Sequence, residues 1–394
     1  MKIGIYNDWW YPDLVGGTER SALEISQGIV AHYGPDQVVI VSLSNTMRTS
    51  KSVDHGVHLF RVGSFTLRRH YSTTLVIRVL ERFRIGFDLL SPLRVARTFS
   101  RQGVKVVIVH NMDRLGVKFV YLLKMVYGIR VIRIMHDLSD TCIRRTRYHK
   151  GATCAQTCFG CKPKSFVYKH LAAACFDAVI CNSKFTMEKL SNLQYVAKDI
   201  DYGYVELPRK DDKIDCVKRI SSEKIARVGY VGRFSPEKGI EVLIESLQAL
   251  RVKHRIDSEL FLIGKGNASY VSDLKQLVSK SGIVASFFEY SNAPYDFLRS
   301  RVDLIVIPSE WEETLGRVAY EASINGFQVM VSDIGGLPEA AALSGNDFFA
   351  FTPGDIDDLA QKIRCFVLGE KPNRTGTSMS RPILKRIISR MDNF

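Results

Sequence analysis

Along the first 180 residues, short runs of Ile, Val, Leu and Tyr alternate with stretches in which apolar residues recur every three or four positions. The first pattern suits strands buried on both faces, the second helices with one buried stripe. Runs at 2–6, 37–42, 104–109, 130–135 and 178–181 predict strands, and the helical patterns between them predict parallel sheets covered by helices on both faces. The pattern lapses at 199–224, where Gly203, Pro208 and the charged run RKDDK mark a crossover between domains. It resumes with strands at 227–231, 259–263, 303–307 and 328–332. PNRTGTSMSRP, residues 372–382, then predicts a connection to a final helix of about ten residues.

This organisation suits the length. A chain of 394 residues is too long for one ordinary core and fits two domains, 1–205 and 206–372, with 373–394 as a terminal connection and helix. A composition 46% hydrophobic and 24% charged is that of a soluble globular protein. Asn7 and Asp8 interrupt the start before a signal-type apolar run can develop, and no apolar run is long enough to span a bilayer. The expected location is cytoplasmic, with peripheral attachment to the inner face of the cytoplasmic membrane as its variant.

Charge separates the halves. Residues 1–180 hold 26 Lys and Arg against 12 Asp and Glu, whereas 181–394 hold 29 of each, so the whole net charge of +14 lies in the first half. Much of it falls in 67–101, where Arg68, Arg69, Arg78, Arg82, Arg84, Arg94, Arg97 and Arg101 are interleaved with Leu, Val, Ile and Phe. Such a stretch suits an anionic membrane surface, or else a solvated helix face over a domain core. Beyond the charge, no nucleic-acid recognition motif is present.

Ligands of open α/β sheets bind beyond the carboxyl ends of the strands. After Val231 comes GRFSPEKG, in which Ser235 suits an N-cap, Pro236 the first helical position, and Arg233 and Lys238 flank a helix start. Two cations beside free backbone N–H groups suit a diphosphate, although surface cations in a loop give the same pattern. After Ile263, GKGN is only a GxG, with Ser269 where a dinucleotide fingerprint needs glycine; Gly264 still permits close backbone approach. After Ile307 comes PSEWEETLGRVAYEA, residues 308–322. The helix start near Leu315 and Gly316 offers N–H groups to phosphate, while Glu313 and Glu321, which phosphate would repel, suit sugar hydroxyls. Ribose, diphosphate and hexose together make a nucleotide sugar. After Ser332, DIGGLPE places a Gly-Gly turn near the same edge.

These stretches, with GGTE at 16–19, HN at 110–111, HD at 136–137 and CNSKF at 181–185, resemble the retaining glycosyltransferases of family 4 over most of the chain. The resemblance implies the GT-B fold, two Rossmann-like α/β domains with parallel sheets facing across a cleft. It implies that Arg233 and Lys238 neutralise the donor diphosphate, Glu321 binds ribose, Glu313 orients the hexose, and Leu315 and Gly316 offer N–H groups to phosphate. Gly16 and Gly17 would lie near the donor phosphates and the acceptor, and His136 near the transferred sugar. The donor would be of UDP or GDP type, and the acceptor a glycan or lipid-linked precursor in cell-surface polysaccharide synthesis. Metal is not expected at the donor: DID at 199–201 and at 355–357 mimics a metal-binding Asp-x-Asp, yet both suit surface acids better. Leu315 where the family often has Phe, and FQV at 327–329 in place of a proline-containing turn, are departures that bear on local packing. An epimerase on the same fold, or a non-catalytic sugar-nucleotide-binding scaffold, are the alternatives.

Cys142, Cys154, Cys158 and Cys161 cluster after the HD pair with CxxxC and CxxC spacing. Structural zinc pinning a basic insertion over 142–161 accounts for this spacing, and free or reversibly oxidised thiols do so too. His110 and His136 each follow an apolar strand; a lone histidine there is usually structural, and only the HD context singles out His136.

Overall fold

A computed structural model describes residues 1–11, 16–44, 46–54, 56–64, 86–149, 151–154, 156–195, 198–207, 225–289, 293–377 and 381–394. The chain divides into two compact units: the first holds 1–145, 156–206 and 381–394, and the second holds 146–155 and 207–380. The final helix therefore belongs with the first unit, and the segment 146–155 with the second.

The first unit is built on an eight-stranded sheet. Its strands are β1 (Ile3–Tyr6), β2 (Val38–Ser44), β3 (Ser50–Asp54), β4 (Val57–Gly63), β5 (Val106–Val109), β6 (Arg130–Met135), β9 (Ala178–Cys181) and β10 (Ile200–Tyr202), β7 (Tyr148–His149) and β8 (Ala152–Thr153) being a separate small hairpin. The order is β10-β9-β6-β5-β1-β2-β4-β3, parallel throughout except for β3, which pairs antiparallel with β4. The central strands IGIY and VVIV are buried at every position, as strands covered on both faces must be. Among its helices are α1 (Gly17–Tyr33), α2 (Leu90–Arg101), α3 (Val117–Tyr121), α4 (Lys162–Val167) and α5 (Lys184–Asn192). In α2, Val95, Ala96 and Phe99 enter the core, and Arg94, Arg97 and Arg101 face outward. Gly4 permits this approach, since a Cβ there would stand 2.6 Å from the Phe99 ring. So the described end of the basic stretch is a helix face over a core; Arg68, Arg69, Arg78, Arg82 and Arg84 lie outside the described residues.

The second unit carries β11 (Ile225–Val231), β12 (Asp257–Ile263), β13 (Val284–Phe288), β14 (Leu304–Ile307), β15 (Gln328–Ser332) and β16 (Phe349–Phe351), all parallel in the order β13-β12-β11-β14-β15-β16. Its main helices are α6 (Ile240–His254), α7 (Ala268–Ser281), α8 (Pro294–Leu298), α9 (Arg317–Ile324), α10 (Leu337–Ala342) and α11 (Ile356–Val367). Ile240, Leu243, Ile244, Leu247 and Leu250 bury one stripe of α6 against this sheet, at the spacing the sequence predicts. In both units the strand order reverses beside a central strand, between β1 and β5 and between β11 and β14, and ligand crevices form beyond such reversals.

The terminal helix α12 (Ile383–Asp392) is tied to the first unit at the DID of 199–201. Tyr204 N–H donates to Arg381 O at 2.9 Å and Ile383 N–H to Tyr204 O at 2.8 Å. Asp201 pairs with Arg381 and, at 3.0 Å, with Arg390, which also reaches Asp199 at 2.9 Å. Asp201 is thus a buried anchor and not the surface acid its sequence context suggests. Burial alone would raise its carboxyl, but the Tyr202 N–H and the Arg381 and Arg390 guanidinium groups outweigh burial and hold it below the ordinary value. Asp355 is a surface residue, capping α11 by accepting from the N–H groups of Asp357 and Asp358.

Candidate functional site

In the second unit, the loops after β11, β12, β14 and β15 are locked together by glycines. Gly239 ends the β11 loop with φ +65°, and a Cβ there would stand 1.9 Å from Pro308 O, at the start of the β14 loop. Gly264 lies equally close to Gly232, where a Cβ would meet the carbonyl oxygen at 1.8 Å. Glu310 N–H donates to Glu237 O at 3.0 Å, joining the two loops again. From the β15 side, Gly336 N–H donates to Glu313 O at 2.7 Å, and Gly335, at φ +62°, leaves no room for a side chain against the Glu313 backbone.

This scaffold aims four charged side chains. Lys238 Nζ lies 2.8 Å from Glu313 Oε1 and 5.4 Å from the Trp311 ring centroid; Ser309 Oγ donates to the same carboxylate oxygen at 2.5 Å. Arg233 pairs with Glu237 at 2.5 Å and remains half exposed. Gly316, at φ +80°, caps α9, and Leu315 beside it is buried. Five residues into that helix, Glu321 accepts from Arg317 Nε at 2.6 Å and from Tyr295 OH at 3.2 Å. The structure therefore brings Lys238 and Glu313 into direct contact, and sets Leu315, Gly316 and Glu321 on one helix start. Ser309, Trp311, Tyr295 and Arg317 were missed in the sequence, although Ser309, Trp311 and Arg317 sit inside the quoted motif. Chemically the arrangement offers cations at Arg233 and Lys238, and a carboxylate at Glu321 already held as a hydrogen-bond acceptor.

In the first unit, the ends of β1, β5, β6 and β9 carry Asn7, His110, His136 and Asn182. His110 Nδ1 lies 2.9 Å from His136 Nε2, and the rings stack with centroids 5.2 Å apart. Asn182 Nδ2 donates to His136 O at 3.2 Å. Asn111 N–H donates to Asn7 Oδ1 at 3.0 Å, and Tyr6 OH donates to Asp8 Oδ1 at 2.7 Å. Burial first, then the Asp113 charge, pushes the Asp8 carboxyl up to about 6. Arg114 N–H donates to Asp8 Oδ2 and its guanidinium stacks on Trp9, 4.0 Å from the ring centroid. Below the histidines, buried Arg133 pairs with Asp140, which also accepts from Tyr195 OH. Gly16 and Gly17 sit at the entry to α1, with Gly16 extended at φ −170°.

The cysteines are placed differently from one another. Cys142 and Cys161 belong to the first unit, their sulfurs 4.0 Å apart, and Ile143 N–H points at Cys161 Sγ. Cys158 is exposed, and its thiol is lowered chiefly by the hydrogen bond to Cys161; burial pushes Cys161 up to about 11. Cys154 follows the β7–β8 hairpin and groups with the second unit. Among the described residues, no group of three or more His, Cys, Asp and Glu is arranged to hold a metal ion, so the zinc expectation gains no geometry here.

Residues 213–378 match the protein-family model of glycosyl transferases group 1. An uncharacterized 42.6 kDa protein in the cps region of Klebsiella pneumoniae is 24% identical over 362 residues, covering 91% of this chain and 92% of that protein. Among solved structures, Anabaena Alr3699/HepE in complex with UDP superposes with a TM-score of 0.70 at 17% identity over 100% of both chains. Sucrose-phosphate synthase (tll1590) from Thermosynechococcus elongatus does so with a TM-score of 0.67 at 16% identity, over 93% of this chain and 90% of that one. The fold is GT-B, built from two Rossmann-like α/β units with parallel sheets.

Proposed function

We propose that this protein is a retaining glycosyltransferase that moves a hexose from a UDP-sugar to a glycan or lipid-linked acceptor in cell-surface polysaccharide synthesis. The observation that carries the reading is the Lys238–Glu313 pair, which joins the loop after β11, where Arg233 also sits, to the loop that leads into α9. Departure of the diphosphate builds negative charge, which Arg233, Lys238 and the N–H groups at Leu315 and Gly316 stabilise without a metal ion. Glu321 takes the ribose hydroxyls, Glu313 and His136 the hexose, and the loop of Gly16 and Gly17 lies near the phosphates. Retention follows from attack on the face the phosphate leaves, with that phosphate assisting deprotonation of the acceptor. The UDP complex of the Anabaena protein supports the choice of base, and the cps-region relative supports the pathway.

Docking on anionic lipid through 67–101 is the second part of the proposal. It is supported by exposed Phe87, Leu89 and Leu90 at the start of α2, with Arg94, Arg97 and Arg101 further along the same helix. Among the described residues no helix is long and apolar enough to cross a membrane.

A thermal-shift panel of UDP, GDP, ADP, dTDP and NAD tests the donor reading. UDP at a hundred times its Kd stabilises by about 2.7 kcal/mol, and Glu321→Ala abolishes most of that shift. Silence towards every nucleoside diphosphate, or a shift untouched by the substitution, rejects this site. Binding of UDP-sugar without turnover, with acceptor glycans supplied, favours the scaffold alternative.

A further inference from the structure

The chain leaves the first unit after Arg145 and returns to it at Gln156, and the hairpin of β7 and β8 in between groups with the second unit. The two limbs of this excursion meet at its base, where Arg145 on one and Lys164 on the other both pair with Asp113. Three residues before each of these cations stands a cysteine, Cys142 and Cys161. Both are held by turns: Cys142 N–H donates to Leu138 O at 3.0 Å, and Cys161 N–H to Cys158 O at 2.9 Å. The Cys142 and Cys161 sulfurs lie 4.0 Å apart, and Cys161 also shares a thiol hydrogen bond with Cys158. Cys142 and Cys161 are 4% and 7% exposed, whereas Cys158 is open to solvent.

The three thiols therefore differ in access and share one neighbour. Thiol–disulfide exchange begins at an accessible thiolate and passes between sulfurs in contact. Cys158 has the access, and Cys161 touches both of the others. A disulfide between the two buried cysteines is shielded from thiols in solution, whereas one that includes exposed Cys158 stays open to reduction. The buried pair is thus the resting place of an oxidation that enters at Cys158.

We propose that Cys142, Cys158 and Cys161 form a thiol–disulfide exchange site for small disulfides of the glutathione class, whose product is a Cys142–Cys161 disulfide across the base of the 146–155 excursion. The Cys158 thiolate attacks one sulfur of the small disulfide and releases the first small thiol. The Cys161 thiolate attacks Cys158 Sγ in that mixed disulfide and releases the second. The Cys142 thiolate then attacks Cys161 Sγ and returns Cys158 as a thiol. Two protein thiols are oxidised, one small disulfide is reduced to two thiols, and the protons of Cys142 and Cys161 leave on those thiols. The bond closes 143–160 into a covalent loop, which removes conformations in which the two limbs part. It bears on the hairpin that the loop carries. Burial, then the charges of Glu310, Glu237 and Glu241, push the Tyr148 hydroxyl up, so β7 stands near the acids of the β11 and β14 loops and α6.

To test this, the full reduced chain, with its eight cysteines, is equilibrated with mixtures of oxidised and reduced glutathione. Free thiols are trapped by alkylation in denaturant, and disulfides are mapped by peptide mass spectrometry. Expected is a Cys142–Cys161 disulfide that dithiothreitol reverses, with hydrogen exchange over 146–155 slowed about tenfold in the oxidised protein. Cys158→Ser should slow formation of that bond about tenfold and leave the final pair unchanged. Cys161→Ser should stop at a mixed disulfide of Cys158 with glutathione, and Cys142→Ser at a Cys158–Cys161 bond. Cys142 and Cys161 trapped as free thiols at every glutathione ratio overturn the proposal, as does a dominant disulfide through Cys154. Zinc that copurifies with the reduced protein and shields the four cysteines of 142–161 from alkylation in the native state overturns it too, as does exchange over 146–155 that oxidation leaves unchanged. Should a variant fail to fold, the wild-type map and its hydrogen exchange decide. No sugar nucleotide enters these measurements, so their outcome is separate from that of the donor panel.

Discussion

Glu313→Gln and Lys238→Met, alone and together, test whether the ion pair of the second unit is an energetic unit. The charges stand 2.8 Å apart with side chains 12% and 18% exposed. At an effective dielectric of about 20, unit charges at that spacing attract by about 6 kcal/mol, most of which is returned as the cost of desolvating both groups. A coupling of about 2 kcal/mol remains, the range of a hydrogen bond to a charged group. Each single substitution should therefore cost about 2–3 kcal/mol, because it strands one buried charge, and the double substitution less than their sum. Urea unfolding followed by Trp311 emission, in a Trp9→Phe/Trp10→Phe background, reads the local unit, since the Trp311 ring lies 5.4 Å from Lys238 Nζ. UDP titration supplies the functional arm. Glu313→Gln frees Lys238 from its carboxylate and should hold or tighten UDP, whereas Lys238→Met should weaken it at least tenfold, about 1.4 kcal/mol. Additivity within about 0.5 kcal/mol, or equal loss of UDP affinity in both singles, refutes the reasoning.

Gly239→Ala should lower the melting temperature of the second unit by about 6–12 °C, measured by calorimetry. It adds strain at φ +65° and forces Pro308 O away from a Cβ built 1.9 Å from it; a fall under about 2 °C would show that the two loops are not locked. Asp201→Asn should loosen 381–394, seen as faster hydrogen exchange in α12. The lowered carboxyl pKa of Asp201 contributes stability that is present above the ordinary value of 3.8 and lost as pH falls through the folded one. The variant should therefore flatten the acid side of the stability profile, and unchanged exchange together with an unchanged acid limb would reject the tether.

What was legible in the sequence was whatever a short window contains. The central strands announce themselves because IGIY and VVIV are apolar at every position. The loop after β11 does so because Ser235, Pro236 and Lys238 sit at fixed offsets from a helix. Strand β3, SKSVD, did not, because it is an edge strand, largely exposed, with a polar sequence. The Lys238–Glu313 contact spans 75 residues and the His110–His136 contact 26, and neither could be seen until the strand order made their loops neighbours. Asn7 and Asp8 passed as mere interruptions of an apolar run, since their partners Asn111 and Arg114 arrive a hundred residues later. Asp201 looked like a surface acid because the arginines that bury it lie about 180 residues downstream.

The strap formed by Arg381, Arg390 and α12 has a bearing on biosynthesis. Chains emerge from the ribosome amino end first and domains generally fold as they appear. Here the sheet of the first unit is complete by residue 202, yet Asp199, Asp201 and Tyr204 wait for partners that are translated only after the whole second unit. The first unit therefore keeps an open seam for as long as the second unit is being made.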